Sequence, residues 1–242
     1  MYCYMILLVP ILLLFCCCVS LFTYNPKPKL KICVCMSHTE NIYEYSKLTE
    51  RINRAYCKKH GYDFEIFNVT PTDRAAQWCK VEVVQRLLGR DEYDYIFWID
   101  ADAFFSQQTI DLESRISDYT KDIIICSDDS NSGRIGSINT GTFFIKCTEW
   151  SKNFCKEWYE YTGKYLKEHY HEQSVLEYRI NDKEFDRHVE IHPERHFNAS
   201  ITDFYNGTMS RHFVTHLMAL DTKTRVNYIT KWINENKFLL DN

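Results

Sequence analysis

Glycine is scarce in this chain of 242 residues: there are seven, and no pair of them falls into a GxGxxG or P-loop spacing. Dinucleotide-binding and P-loop readings lose their main support with them. Neither GxSxG nor HExxH occurs, so lipase-like and zincin chemistry has no foothold. No two cysteines stand in a CxxC pair, which removes the usual zinc and redox spacings. Charge of one sign is not in excess either, with 29 Lys and Arg against 33 Asp and Glu. A protein held to nucleic acid by its charge is therefore not expected. What the chain does have is 45% hydrophobic and 15% aromatic residues, enough for one sizeable core and too much for disorder.

Formal charge is also missing from residues 2–26, which contain the run Met5 to Phe15, and about twenty such residues cross a bilayer. We expect a signal-anchor over residues 1–24, with a cleaved signal peptide as the alternative. No basic residue precedes the cleavage-like Cys18-Val19-Ser20. Lys27, Lys29 and Lys31 follow the segment, a bias that would keep the large domain on the cytoplasmic side. Four of the eleven cysteines belong to this segment, and the seven left are an odd number that suggests no disulfide framework. Cys33, Cys35, Cys126 and Cys147 lie in apolar runs and read as small buried hydrophobes. N-glycosylation sequons at Asn68, Asn198 and Asn206 are little more than composition gives by chance.

After a linker over residues 25–31, apolar strands alternate with amphipathic helices in one domain over residues 32–242. Ile32 to Met36, Phe64 to Phe67, Tyr95 to Ile99, Ile123 to Cys126, Phe143 to Ile145 and Val189 to Ile191 read as strands. Tyr45 to His60, ended by Gly61, reads as a helix, as does Arg74 to Leu88 with Gly89 beyond its end. Trp150 to Lys167, Glu172 to Ile180 and Thr224 to Leu239 complete the helices. Strands apolar on both faces imply an α/β fold on a mostly parallel sheet, with its ligand beyond the carboxyl ends of the strands.

The residues just past each apolar run are thus the candidates. The third strand exits into Asp100-Ala101-Asp102. Carboxylates two apart on a strand share a face about 7 Å apart and repel unless a cation joins them. Oxygen donors of this kind suit magnesium or manganese on a diphosphate, with a solvated acidic turn as the bland alternative. His216 closes Phe213-Val-Thr-His216 and could be a further ligand or simply structural. Glu172 and Gln173 open a helix, where a carboxylate can merely cap or can face a reacting sugar. Asn139-Thr-Gly141 reads as a turn before a strand, or as a place where a ligand meets backbone. Lys80 is either a phosphate contact or a surface lysine. Tyr159, Tyr161, Tyr165 and Tyr170 could form an acceptor platform, or pack.

Together these segments resemble glycosyltransferase family 34, the galactosyl-, xylosyl- and mannosyltransferases of the GT-A fold. The matching stretches are Arg54 to Tyr62, Gln77 to Lys80, Tyr95 to Ala103, Asn139 to Lys146, Trp150-Ser151, Glu172 to Ser174 and Phe213 to His216, in the family's order. The resemblance implies a Rossmann-like GT-A domain, a nucleotide-sugar donor, a glycan acceptor, manganese or magnesium, and transfer with retention. It implies that Asp100 and Asp102 form the DxD motif, with Asp102 the direct ligand, Asp100 nearer the ribose, and His216 the third protein ligand. It puts Glu172 and Gln173 beside the anomeric carbon and Lys80, Ala101, Asn139, Gly141 and Lys223 around the donor. It also implies a single-pass type II protein of the Golgi or ER, against the charge bias noted above. The chain departs from the family pattern at His171, where relatives carry an acidic residue, and at Leu217-Met-Ala219-Leu220, where relatives place a glycine. Two other readings compete: a DxD phosphohydrolase, and a non-catalytic glycan-binding scaffold on a decayed transferase fold.

Overall fold

The structure, a computed structural model, describes residues 29–128, 137–180, 185–200 and 212–240. The apolar segment 1–24 and the sequon at Asn206 lie outside them. Among the described residues no helix is long and apolar enough to cross a membrane.

Six strands form the main sheet: β1 Ile32–Ser37, β2 Asp63–Phe67, β3 Tyr95–Ile99, β5 Ile123–Ser127, β6 Ile138–Lys146 and β7 Val189–His192, in the order β2-β1-β3-β6-β5-β7. Alternation along each strand divides the core in two. Val34, Met36, Phe97, Ile99, Ile124 and Phe144 face one side, and Cys33, Cys35, Ile96, Trp98, Ile125 and Phe143 face the other. The first side is covered by α1 Tyr43–His60 and α5 Thr222–Glu235, the second by α2 Cys79–Leu88, α3 Glu149–Tyr159 and α4 Glu172–Ile180. Both faces are covered, so the strands read as unbroken apolar runs. The seven described cysteines are all free thiols, and Cys33, Cys35, Cys57, Cys126 and Cys155 are buried.

The sheet is mixed where a mostly parallel one was expected. The β1–β2, β1–β3 and β5–β7 pairs are parallel, but β6 runs antiparallel to both β3 and β5. A buried apolar run looks alike in either direction. The short link from Ser127 to Ile138 leaves no room for the dozen or more residues of a parallel crossover. Nor is Asn139-Thr-Gly141 a turn: it lies inside β6, where the register with β5 jumps from Ile125–Phe143 to Cys126–Asn139 and leaves Thr140 and Gly141 bulged out of that pairing.

Other boundaries shift by less. Gly61 ends α1 at φ 73°, the left-handed cap its position suggests, whereas Gly89 stays right-handed at φ −69°. The second helix starts at Cys79 after a 3-10 turn at Ala76–Trp78, not at Arg74. The helix from Glu149 stops at Tyr159, and Lys164–Lys167 is a separate 3-10 turn beyond Gly163. At the C-terminus α5 ends at Glu235 and a last turn, Lys237–Leu240, follows. Lys31 is already part of the fold, exchanging hydrogen bonds of 2.8 Å with Asp94.

A second, three-stranded sheet was not expected from the sequence. It pairs β4 Ala103–Phe105 antiparallel with β9 Val214–His216, which pairs parallel with β8 Ala199–Ser200. In this register Ala103 sits opposite His216, so the residues just before β4 come to lie against the end of β9.

Candidate active site

Asp100 and Asp102 occupy the turn that leaves the main sheet at β3 and enters the small sheet at β4. That turn is fixed from three sides. Thr49 on α1 donates its hydroxyl to the Ala101 carbonyl at 2.7 Å, and the Asn53 carboxamide donates to the Ala103 carbonyl at 3.1 Å. The Leu217 N–H donates to the Asp102 carbonyl at 3.0 Å, and the Asp100 N–H to the Gly141 carbonyl at 2.8 Å. Ala101 is thereby held by its backbone at the cavity wall, and nothing in its one-methyl side chain could have signalled Thr49 or Asn53.

The side chains converge. His216 Nε2 lies 3.2 Å from Asp102 Oδ1 and 3.9 Å from Asp100 Oδ2. Ligand atoms of these three residues all fall within 4.8 Å of one another. Each carboxylate has its other oxygen on a donor of the protein: Asp100 Oδ1 accepts from the Trp98 indole at 2.6 Å and Lys80 at 3.1 Å, and Asp102 Oδ2 pairs with Arg225 at 2.8 Å. One oxygen of each is thus left facing the imidazole. Two hard oxygens and one imidazole nitrogen are a donor set that fits manganese, and magnesium less fully. Burial opposes charge on Asp102, but His216 and Arg225 outweigh it and hold the carboxyl down at about 2. Burial likewise works against a charged His216, and Asp102 with Asp100 pushes its pKa up instead.

Lys80 is not a surface lysine. It is 4% exposed, and Nζ reaches Glu172 Oε1 at 3.0 Å, Asp100 Oδ1 at 3.1 Å and the Thr140 carbonyl at 3.0 Å. Burial would strip its charge, but the two carboxylates overcome that and hold its pKa up. Glu172 is buried at the start of α4, and burial pushes its carboxyl up, with Lys80 pulling it back only in part. Its Oε1 accepts from Thr140 Oγ1 at 3.0 Å, while Oε2 has no partner. Gln173 Oε1 accepts from the Thr140 N–H at 3.1 Å, tying α4 to β6.

Asn139 and Gly141 come to the same place from β6. A Cβ on Gly141 would lie 2.1 Å from His216 Cε1, so glycine is required there by the imidazole itself. Lys223 is not brought to the cluster: it is exposed in the first turn of α5, and the cation that helix sends to Asp102 is Arg225. Two further residues escaped sequence reasoning. Trp98 read only as strand core, and Asn198 only as a sequon. Asn198 is fully buried, with Oδ1 3.0 Å from His216 Nδ1 and Nδ2 2.8 Å from Asn139 Oδ1. Of the two described sequons, only Asn68 is exposed.

Beside the carboxylates opens a cavity of about 330 Å³, lined by Ser37, His38 and Thr39 after β1, Val69 after β2, Gln77 and Lys80 near the start of α2, and Asp100 to Asp102. It lies beyond the carboxyl ends of three parallel strands, where ligands of such sheets bind. Tyr159, Tyr161 and Tyr165 pack against the core cluster on the α3–α4 side, and Tyr165 stacks on Tyr178.

This fold has counterparts among known proteins. The profile of the nucleotide-diphospho-sugar transferases matches residues 43–238. The chain belongs to the nucleotide-diphospho-sugar transferase family. Among curated relatives of this transferase family, the chain is 28% identical over 111 residues to Probable xyloglucan 6-xylosyltransferase 1 of Oryza sativa, covering 43% of this chain and 24% of that one. It is 26% identical over 155 residues to Probable alpha-1,6-mannosyltransferase MNN10 of Saccharomyces cerevisiae, covering 51% of this chain and 39% of that one. The chain therefore spans about a quarter to two fifths of the length of these relatives. Both names agree with the resemblance to family 34. Among solved structures, a glycosyltransferase involved in glycosylation of the major capsid of PBCV-1 superposes with a TM-score of 0.71 at 16% identity, over 83% of this chain and 99% of that one. At that identity the match speaks for the GT-A fold alone.

Proposed function

We propose that this transferase moves a hexose or pentose from a nucleoside diphosphate donor to a glycan hydroxyl, with retention and with a divalent cation held by Asp100, Asp102 and His216. The observation that carries this reading is the convergence of Asp100 Oδ2, Asp102 Oδ1 and His216 Nε2 beside the cavity at the strand ends. A manganese or magnesium ion in that cluster would supply Lewis-acid stabilisation of the charge that grows on the departing diphosphate. Lys80 pairs with Asp100 and Arg225 with Asp102, so each carboxylate has a cation of the protein beside it.

The remaining roles follow from position. The donor's nucleotide fits the cavity between the β1 end and the Ala101 backbone. Its sugar reaches toward β6 and the start of α4, where Asn139 and Gly141 form one wall and Glu172 and Gln173 another. Glu172 carries an unpartnered oxygen and is held by Lys80, so it is the group available to stabilise positive charge at the anomeric carbon. The acceptor hydroxyl attacks on the face the diphosphate leaves. We read residues 1–24 as a membrane anchor and 25–31 as its linker, with residues 32–242 as the transferase domain in a secretory compartment.

The test is nucleotide release from a panel of UDP- and GDP-sugars, with and without manganese and a glycan acceptor mixture. Manganese-dependent release from one donor, lost in Asp102→Asn with the circular dichroism unchanged, is the expected result. No release from any donor, together with no manganese-dependent binding of UDP or GDP, would replace this reading with the non-catalytic scaffold.

A further inference from the structure

A chain of buried amides runs from β6 to the imidazole of the candidate metal cluster, and its polarity is decided at one end. The Gly141 N–H can only donate, so the Asn139 side-chain atom 2.8 Å away is an oxygen. That oxygen also faces an amide atom of Asn198 at 2.8 Å, which must therefore be the NH2 group. The other atom of the Asn198 carboxamide is then an oxygen, and it lies 3.0 Å from His216 Nδ1. An oxygen there accepts only if Nδ1 carries a hydrogen.

We infer that Asn198 is a positioning residue that fixes His216 with its hydrogen on Nδ1 and so reserves Nε2 for the metal between Asp100 and Asp102. The inference rests on the metal reading of that cluster. Water cannot take over the task, because Asn198 is 0%, His216 4% and Asn139 5% exposed. The ring is seated against the Gly141 backbone, its Cε1 and Nδ1 filling the space where a Cβ would stand. A metal-bound histidine is ordinarily held this way, by an acceptor on its second nitrogen. Here the acceptor comes from a sequon asparagine, and Asn139 joins it to strand β6.

The first measurement needs no variant: nitrogen NMR of the metal-free, histidine-labelled chain. Nδ1 of His216 is expected to carry a hydrogen whether or not Nε2, which faces Asp102, carries one too, and a bare Nδ1 would overturn the inference. The second is the manganese dissociation constant, read from the free-ion signal in electron paramagnetic resonance. Asn198→Leu removes the acceptor at similar volume and should weaken manganese by about 10- to 100-fold. Asn198→Asp keeps an acceptor for Nδ1–H and should recover most of the affinity, which a merely space-filling role would not do. Wild-type affinity in Asn198→Leu would sink the proposal. His216→Ala binding manganese as tightly as the wild type would instead overturn the metal reading beneath it, a separate failure from loss of the Asn198 effect alone.

Discussion

Lys80 carries the charge balance of the site at the scale of single residues, because it is the one cation between two carboxylates of different elements, Asp100 and Glu172. Breaking a buried pair by removing one partner leaves an uncompensated charge, which costs about 3–5 kcal/mol. Lys80→Met should lower stability by about that much in urea titrations, and adding Glu172→Gln should recover part of the loss. Simple additivity of the two changes would show that they do not interact. Ala219 offers a test of opposite sign. It is exposed and adopts φ 55°, a left-handed conformation that favours glycine. The left-handed region costs an alanine about 1–2 kcal/mol, and the entropy that glycine adds to the unfolded chain takes back some of that. Ala219→Gly should therefore stabilise by roughly 0.5–1 kcal/mol and raise Tm by about 2 °C in a thermal melt.

Helix α5 shows the dependence of the site on element ends. Asp221 caps it by accepting from the Thr224 N–H at 2.9 Å and the Thr224 hydroxyl at 2.7 Å. One residue further on, Arg225 leaves the first turn to reach Asp102. The Thr224 hydroxyl and then its N–H hold the Asp221 carboxyl below its ordinary value. A lowered carboxyl stabilises above its unfolded pKa near 3.9 and loses that contribution as pH falls through the lower folded value. Amide exchange at Thr224, corrected for its intrinsic pH dependence, should still be protected at the unfolded carboxyl pKa of about 3.9 and lose protection only as pH falls through the lower folded value. Asp221→Ala should show the unprotected rate at every pH. Strand β6 makes the complementary point. Its segment Asn139-Thr-Gly141 has the composition of a turn, yet the strand carries it extended: Asn139 pairs with Cys126, the Asp100 N–H holds the Gly141 carbonyl, and Asn139 reaches Asn198.

At the scale of the whole molecule, the candidate metal cluster is where the two sheets meet. Asp100 and Asp102 lie on the chain's passage from one to the other, and His216 comes from the central strand of the small sheet, opposite Ala103. A cation bound to the native cluster and absent from the unfolded chain stabilises the whole fold by mass action. At a hundredfold excess over its dissociation constant the gain is about 2.7 kcal/mol. For a chain of this size that is a rise in Tm of roughly 5–10 °C, reversed by a chelator. His216→Ala should flatten this manganese response even if other sites on the surface bind the ion weakly.

The strands and helices were legible in the sequence because periodicity, caps and breaker residues are local signals, and so were Asp100, Asp102, His216 and Glu172 as residues at element ends. The antiparallel direction of β6, the three-stranded sheet, and the partners within the site were decided only by tertiary structure. Lys80 passed for a surface or phosphate lysine until Asp100 and Glu172 closed over it. Arg225, which sequence reasoning passed over, proved to be the ion-pair partner of Asp102, and Asn198 turned from a glycosylation sequon into the buried partner of His216. Each of these depends on which distant segments come to share a dry interior. A side chain's neighbours there, rather than its place in the sequence, decide whether its charge and hydrogen bonds are free or spoken for.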